Sequence, residues 1–509
     1  MNYRQISRTL GYLLMVLAGA MSTSLIWAFV ENDSRRTIIA FGVSVAITFG
    51  VGLGGWYAGR DEQGTIQRRE ALLIVAASWL LLGVFGGLPY LLDGAFINPA
   101  DAYFEAISGF TTTGSTVLTE IEGLSHALHW WRGMTHWLGG MGIIVLFVAI
   151  FPQLGVGGKH LFKTEVPGPI TEGLKPKIRE TSWALWRIYA GFTLVLTVLL
   201  YIFGPGQAEV DADPNMSANA VMDLHNAIIH AFATMATGGF STLNDSVAGF
   251  HSVEVDILIT LFMFLAGVNF GLYYAVLRGA GHKAVRDLEL WVYTSVVVIA
   301  TLIITVNIWN TGPPGSAELA KHGHLLSSLR YAVFQVVGVV TTTGFGTDNF
   351  DLWPPLSRLI MVALMFVGGM AGSTAGGMKV FRFVVIVKAI RLRLHGVFRP
   401  AAVQLVKVSG RTVSRDVVND ILVFFALGML AFIGASLYMT FLGLDVVTAT
   451  TSVAATLFNI GPGLARVGSV ENFAFIPTSG KVVLSFCMIL GRLEFYSLLV
   501  LLLPEFWRE

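Results

Sequence analysis

The chain has 509 residues, 54% of them hydrophobic and 13% charged, with a formal net charge of +1. A soluble protein carries about a quarter charged residues, so this composition excludes an ordinary soluble globule, and the near-zero charge gives no suggestion of nucleic acid as a partner. One cysteine, Cys487, excludes both a disulfide framework and a thiolate metal site.

Apolar runs of about 20 residues read as membrane spans. The first two cover roughly 9–30 and 37–58. Arg4 and Arg8 precede the first, and Ala18-Gly19-Ala20 resembles a signal cleavage site. The run nevertheless continues to Val30, too long for a signal, so it reads as an anchor. Gly50 to Gly55 has the spacing of a dinucleotide fingerprint. No strand precedes it and it ends a membrane span, so that function is rejected.

From residue 61 onward one order of elements recurs. A span at 70–92 leads to a short, mildly apolar segment at 101–110, the string SGFTTTGST (Ser108–Thr116) and a span at 127–151. Next come a span at 182–204, a segment at 219–235, ATMATGGFST (Ala233–Thr242) and a span at 254–277. The third round is 288–309, 325–340, VVTTTGFGTD (Val339–Asp348) and an interrupted span at 355–389. The fourth is 416–442, 445–457, TLFNIGPGL (Thr456–Leu464) and 480–503. The strings align on Gly114, Gly239, Gly344 and Gly461.

A repeat of this regularity defines the architecture. The expected fold is an all-α integral membrane protein with four parallel span–pore-helix–span repeats around a pseudo-fourfold pore, plus two extra N-terminal transmembrane helices. The units are 1–60 for the added helices, then 61–155, 156–280, 281–400 and 401–509 for the repeats. Lys and Arg cluster at the N-terminus, at Arg60/Arg68/Arg69, and within Lys159–Arg179, Arg278–Arg286 and Lys379–Arg415. The positive-inside rule then puts both termini in the cytoplasm.

Non-helical backbone at membrane depth is tolerated only when buried in protein or lining water. Four extended strings on one axis present rings of carbonyl oxygens that replace a cation's hydration shell. The C-terminal ends of the short helices, partially negative, favour a cation there. The eighth span carries a second break, VGGMAGSTAGGMK (Val367–Lys379), whose five glycines disfavour a continuous helix. It reads either as an unwound loop in the aqueous path or as close helix packing through small residues. Arg492, inside the last apolar run, is a functional candidate by its cost alone, with Glu494 as a local candidate partner. Arg132 and His136 are weaker candidates, Arg132 reading as an interfacial residue. No nucleophile, base and orienting carboxylate assemble from spacing, so no enzyme is expected.

The four-unit pattern, and TTTGFG in particular, resembles the Trk/Ktr/HKT superfamily of potassium transporters. The two extra N-terminal spans and the ending LGRLEFYSLLVLLLPEFW are similar to its bacterial TrkH-type branch. The resemblance implies potassium uptake across the bacterial inner membrane, with K+ as substrate and no organic cofactor. It implies filter carbonyls from Thr112, Thr113 and Gly114; Thr237, Gly238 and Gly239; Thr342, Thr343 and Gly344; and Asn459, Ile460 and Gly461. Plant relatives that prefer sodium carry serine at the first filter position; Gly114 there implies potassium preference. Only the third and fourth strings keep a second glycine, Gly346 and Gly463, which implies looser selectivity that admits rubidium and some sodium.

The resemblance also makes the glycine-rich break a gate below the filter, formed by Gly368, Gly369, Gly372, Ser373, Thr374, Gly376, Gly377 and Lys379. Arg492 becomes a pore-facing basic residue. The basic stretch with Arg391, Arg393 and Arg399 either attracts anionic membrane lipid or docks a ring of cytosolic, nucleotide-binding regulatory subunits of the TrkA type. A homodimer is implied as well. The competing reading is an alternating-access secondary transporter, which requires inverted halves with broken helices in corresponding places. Four parallel units with a single glycine-run break argue against it.

Overall fold

The computed structural model describes residues 1–62, 66–142, 178–213, 216–312, 321–398, 405–493 and 495–508. Among them, six helices are long and apolar enough to cross a membrane. The first two, α1 (Tyr3–Val30) and α2 (Arg35–Ala58), form an antiparallel hairpin. Asn2 caps α1 by accepting from the Gln5 N–H, and Ser34 caps α2 by accepting from Thr37. Two glycines of the rejected fingerprint, Gly52 and Gly55, lie where these helices cross. A Cβ on Gly52 would stand 2.9 Å from the Gly11 carbonyl, and one on Gly55 3.1 Å from that of Ser7. The motif is a small-residue seam.

The recurring order of the sequence is the order of the fold. Four long helices, α3 (Arg68–Asp93), α6 (Ile178–Phe203), α10 (Leu288–Ile308) and α14 (Arg415–Phe441), each precede a short one. The short helices are α4 (Pro99–Phe110), α7 (Leu224–Met235), α11 (Leu325–Val340) and α15 (Val446–Leu457). Four outgoing helices follow the strings: α5 (His126–Gly140), α8 (Val253–Ala266), α12 (Pro355–Met365) and α16 (Thr478–Arg492). Large apolar side chains such as Val43 and Ile47 on α2, and Leu430 and Leu437 on α14, are exposed on helices whose backbone bonds are internal, as a hydrocarbon surrounding requires. The chain's two ends share one face: the Asn2 N–H donates to Glu70 at 2.8 Å, and Arg69 donates to the Arg508 carbonyl at 2.8 Å.

One expectation needs correction. Only the eighth span was expected to break, yet all four outgoing helices stop before the end of the span expected for them. α5 stops at Gly140, with Gly142 at φ 70°. α8 stops at Ala266, and α9 (Phe270–Leu277) leaves at 89° to it. α12 stops at Met365, and α13 (Val380–Phe398) begins after 14 intervening residues. α16 stops at Arg492, with Phe495 at φ 60°. Three of these stops lie in close approach to a short helix. A Cβ on Gly139 would strike the Phe110 carbonyl and one on Gly491 the Leu457 carbonyl, each the last residue of a short helix. A Cβ on Gly267 would lie 2.8 Å from Thr341 Cγ2. The stops fall at the same place in each of the four long–short–outgoing rounds, whereas an alternating-access carrier places broken helices in two inverted halves. The rest of the fourth span (143–151), the basic residues 159–177, the unit boundaries at 155/156 and 400/401, Arg399 and Glu494 lie outside the described residues.

Candidate functional site

All four short helices end in the same way. The residue after the C-cap is left-handed: Thr112 at φ 55°, Thr237 at 55°, Thr342 at 57° and Asn459 at 55°. Its N–H returns to the carbonyl three residues back: Gly109, Thr234 and Val339 at 3.0 Å, Thr456 at 3.3 Å. The next N–H reaches five residues back: Thr113 to Ser108 at 2.9 Å, and Gly238 to Ala233, Thr343 to Gly338 and Ile460 to Ala455 at 2.8 Å. This is the Schellman termination, which normally places glycine at the left-handed position. A β-branched threonine there is a true conformational outlier, and such strain of about 1–3 kcal/mol per residue concentrates at functional sites.

Two residues further on, each string turns left-handed again, at Gly114 (φ 81°), Gly239 (82°), Gly344 (75°) and Gly461 (104°). These glycines join the strings. A Cβ on Gly114 would strike the Gly238 carbonyl, one on Gly239 the Thr343 carbonyl and one on Gly344 the Ile460 carbonyl. A Cβ on Gly461 would stand 2.8 Å from the Thr113 carbonyl. First touches second, second third, third fourth and fourth first, so the strings close a ring. Thr112, Thr113, Thr237, Thr342, Thr343 and Asn459 have no exposed surface, which keeps this non-helical backbone inside protein.

The fourth string lacks the threonines, and its asparagine makes a cross-link to another string. Asn459 Nδ2 donates to Thr113 Oγ1 at 2.9 Å and to the Met488 carbonyl at 3.0 Å. In the first string the Thr111 and Thr113 hydroxyls lie 2.7 Å apart, and Thr341 and Thr343 repeat this at 2.8 Å in the third.

Behind the first two strings sits a buried network that spacing did not reveal. Arg132 is not interfacial: it is 1% exposed, and its Nε donates to Glu105 at 3.1 Å. Its Nη1 donates to the Ser241 carbonyl at 2.8 Å, and its guanidinium stacks 4.1 Å over Phe240. Glu105, on α4, also accepts from the Thr116 hydroxyl at 2.9 Å and the Val117 N–H at 3.0 Å. His136 Nε2 accepts from the Phe240 N–H at 3.2 Å, and its Nδ1 lies 2.8 Å from the Gly109 carbonyl. An α5 helix-face pattern, Arg132 and His136 four apart, was the available signal; their partners came from distant sequence. At the C-terminal end of the third string, burial alone would raise the Asp348 carboxyl. Hydrogen bonding from His322, the Lys321 charge and the Trp353 N–H instead bring it to about 2.

The glycine-rich segment is non-helical from Phe366 to Lys379, with Gly368, Gly372, Gly377 and Lys379 all left-handed. It lies directly against the ring. The Gly376 N–H donates to Thr342 Oγ1 at 2.6 Å. The Thr374 hydroxyl reaches the Met235 carbonyl, at the end of α7, at 3.0 Å. Ser373 bonds within the loop to the Met370 carbonyl at 2.7 Å, and Lys379 Nζ donates to the Ala375 carbonyl. Arg492 meets both parts. Its Nη1 donates to Thr112 Oγ1 and to the Thr374 carbonyl at 3.1 Å each, and its Nη2 to the Gly139 carbonyl at 2.6 Å and that of Gly140 at 3.1 Å. Strings, loop and arginine, read separately along the chain, are therefore one assembly.

The TrkH family profile, described as a cation transport protein, matches residues 38–508. The chain belongs to the TrkH family. It is 36% identical to the Trk system potassium uptake protein TrkH of Escherichia coli K12 over 512 residues, covering 100% of both chains. The Vibrio parahaemolyticus TrkH is 34% identical, again over the whole of both. The crystal structure of the potassium transporter TrkH from Vibrio parahaemolyticus matches the fold with a TM-score of 0.84, 32% identity and full coverage of both chains. TrkH proteins are multi-pass membrane transporters rather than enzymes, and the helical architecture here is theirs.

Proposed function

We propose that this chain is the ion-conducting subunit of a bacterial potassium uptake system in the inner membrane, with both termini cytoplasmic. The observation that carries the reading is the closed ring of four identically capped strings. Its residues, Thr112–Gly114, Thr237–Gly239, Thr342–Gly344 and Asn459–Gly461, form the filter, offering carbonyl oxygens to K+ in place of water. The negative ends of four short helices converge on it. The loop from Gly368 to Lys379 is the gate: it fills the space against Thr342 and the end of α7, where an ion leaving the ring must pass. Arg492 places a fixed positive charge at the same level, which limits cation occupancy. Homodimer formation and control by a cytosolic, nucleotide-binding TrkA-type subunit complete the reading; the latter docks on the basic surface around Arg391 and Arg393.

The test is electrical. Purified protein in planar bilayers under a potassium gradient is expected to give unitary current steps reversing near the potassium potential. Absence of both current and tracer potassium uptake, with the regulatory subunit added, would overturn the proposal.

A further inference from the structure

We propose that Glu289 is the positioning residue that latches the intramembrane loop closed; this rests on the reading of that loop as a gate. Glu289 lies in the first turn of α10, the long helix that opens the round to which the loop belongs, and is 7% exposed. One of its oxygens, Oε1, accepts from the Ala371 N–H at 2.7 Å and from the Phe381 N–H at 3.1 Å. Ala371 is inside the loop; Phe381 is in the first turn of α13, just beyond it. A single carboxylate therefore staples the moving part to its own anchor.

The usual duty of an acid at this place, capping its own helix, is already taken. Asp287 is the N-cap and accepts from the Leu290 N–H at 3.0 Å, and Ser409 Oγ, in the β1–β2 hairpin (Lys407–Val408 and Arg411–Thr412), accepts from Leu288 at 3.1 Å. Burying a carboxylate without pairing it well is costly, so a buried acid aimed at another element's N–H groups has been placed for that contact. The loop's other limb is held from across: Met370 N–H donates to the Gly267 carbonyl at 2.9 Å and Phe270 N–H to the Gly372 carbonyl at 3.0 Å. These partners are Gly267, in the break between α8 and α9, and Phe270, the first residue of α9. The loop is thus gripped between Glu289 and that break. If it is to withdraw from Thr342, Ala371 must part from Glu289, while Phe381 can stay. An interaction made only in the closed state biases the equilibrium toward closure by its own free energy.

The experiment measures potassium flux and the potassium-to-sodium permeability ratio in proteoliposomes of the full chain. It compares wild type, Glu289→Ala, Glu289→Gln and a deletion of residues 372–377. Glu289→Ala is expected to raise flux about tenfold, the effect of losing one charge-assisted hydrogen bond. Its permeability ratio should stay at the wild-type value, because Glu289 does not touch the ring. Glu289→Gln keeps an acceptor oxygen without the charge and should fall between the two. A gain of flux at the wild-type permeability ratio separates loss of the latch from a non-selective leak. Wild-type or lower flux from folded Glu289→Ala, with the deletion raising flux, would overturn the latch and leave the gate intact. If Glu289→Ala is not recovered folded, Glu289→Gln decides by the same criterion. A folded deletion variant with unchanged flux would defeat the gate reading and the latch with it.

Discussion

Arg132 and Glu105 show how far a single residue's meaning depends on its partners. Both are buried, and each satisfies groups on the strings as well as the other. Removing one member of such a pair leaves a buried charge uncompensated, at a cost of about 3–5 kcal/mol. Arg132→Ala should therefore lower the thermal unfolding midpoint in detergent sharply, and adding Glu105→Gln to it should recover part of the loss. Equal midpoints for Arg132→Ala and wild type would show that the network carries no stability. Gly344 makes a different demand, since it combines φ 75° with a Cβ direction that meets the Ile460 carbonyl and, at 2.7 Å, Pro462 Cδ. Gly344→Ser is expected to reduce the potassium-to-sodium permeability ratio by displacing the fourth string. A ratio unchanged from wild type, by reversal potential, would sink that expectation.

Elements were legible in proportion to how much hydropathy recorded them. The long helices carry it along their full length, and the short ones were marked by being too short to span before a glycine string. The loop at Gly368–Gly377 was visible because five glycines are concentrated there. The other three breaks rest on one or two glycines inside apolar runs, which a hydropathy window averages away. Their signal was positional: Leu138-Gly139-Gly140, Leu265-Ala266-Gly267 and Leu490-Gly491-Arg492 stand where Val367-Gly368-Gly369 stands in the third unit. Arg492 stood out as an arginine in an apolar run, yet its partners at Thr112, Thr374 and Gly139 are hundreds of residues away or across units.

The α1–α2 hairpin offers an element-level prediction. Its loop residue Asp33 accepts from the His126 and Ala127 N–H groups and lies 3.1 Å from the His126 ring, tying the hairpin to the start of α5. The hydrogen bond to Asp33 raises the His126 imidazole above its ordinary 6.5, against the opposing effect of burial. Burial would raise Asp33, but the His126 side chain and the two N–H groups hold it below 3.8. The histidine's contribution is complete below 6.5 and is lost as pH rises through its elevated value. The aspartate's is complete above 3.8 and is lost only as pH falls through its depressed one. The tie is strongest between those limits. Amide exchange in residues 31–35 should accelerate more between pH 5.5 and 8.5, after correction for intrinsic exchange, in wild type than in His126→Gln. An identical pH response in both would remove His126 from the account.

At the scale of the whole molecule, four units far apart in sequence depend on one another through a closed ring. Each joint is a glycine of one string against a carbonyl of the next, so strain introduced at one joint has no free end at which to dissipate. The joints are not equal. Between the fourth and first strings a Cβ on Gly461 would have 2.8 Å to the Thr113 carbonyl, whereas at Gly114, Gly239 and Gly344 the neighbouring carbonyl is closer than that. The fourth string is also the one whose sequence departs most from the others, and Asn459 bridges the same joint through its side chain. A methyl group should therefore be least disruptive at Gly461. Gly114→Ala, Gly239→Ala and Gly344→Ala are expected to lose potassium-over-sodium selectivity to a similar degree, and Gly461→Ala to keep most of it. Reversal potentials under bi-ionic potassium and sodium order the four variants. If Gly461→Ala proves as damaging as the rest, left-handed backbone at each glycine, rather than contact around the ring, governs selectivity, because φ is positive at all four.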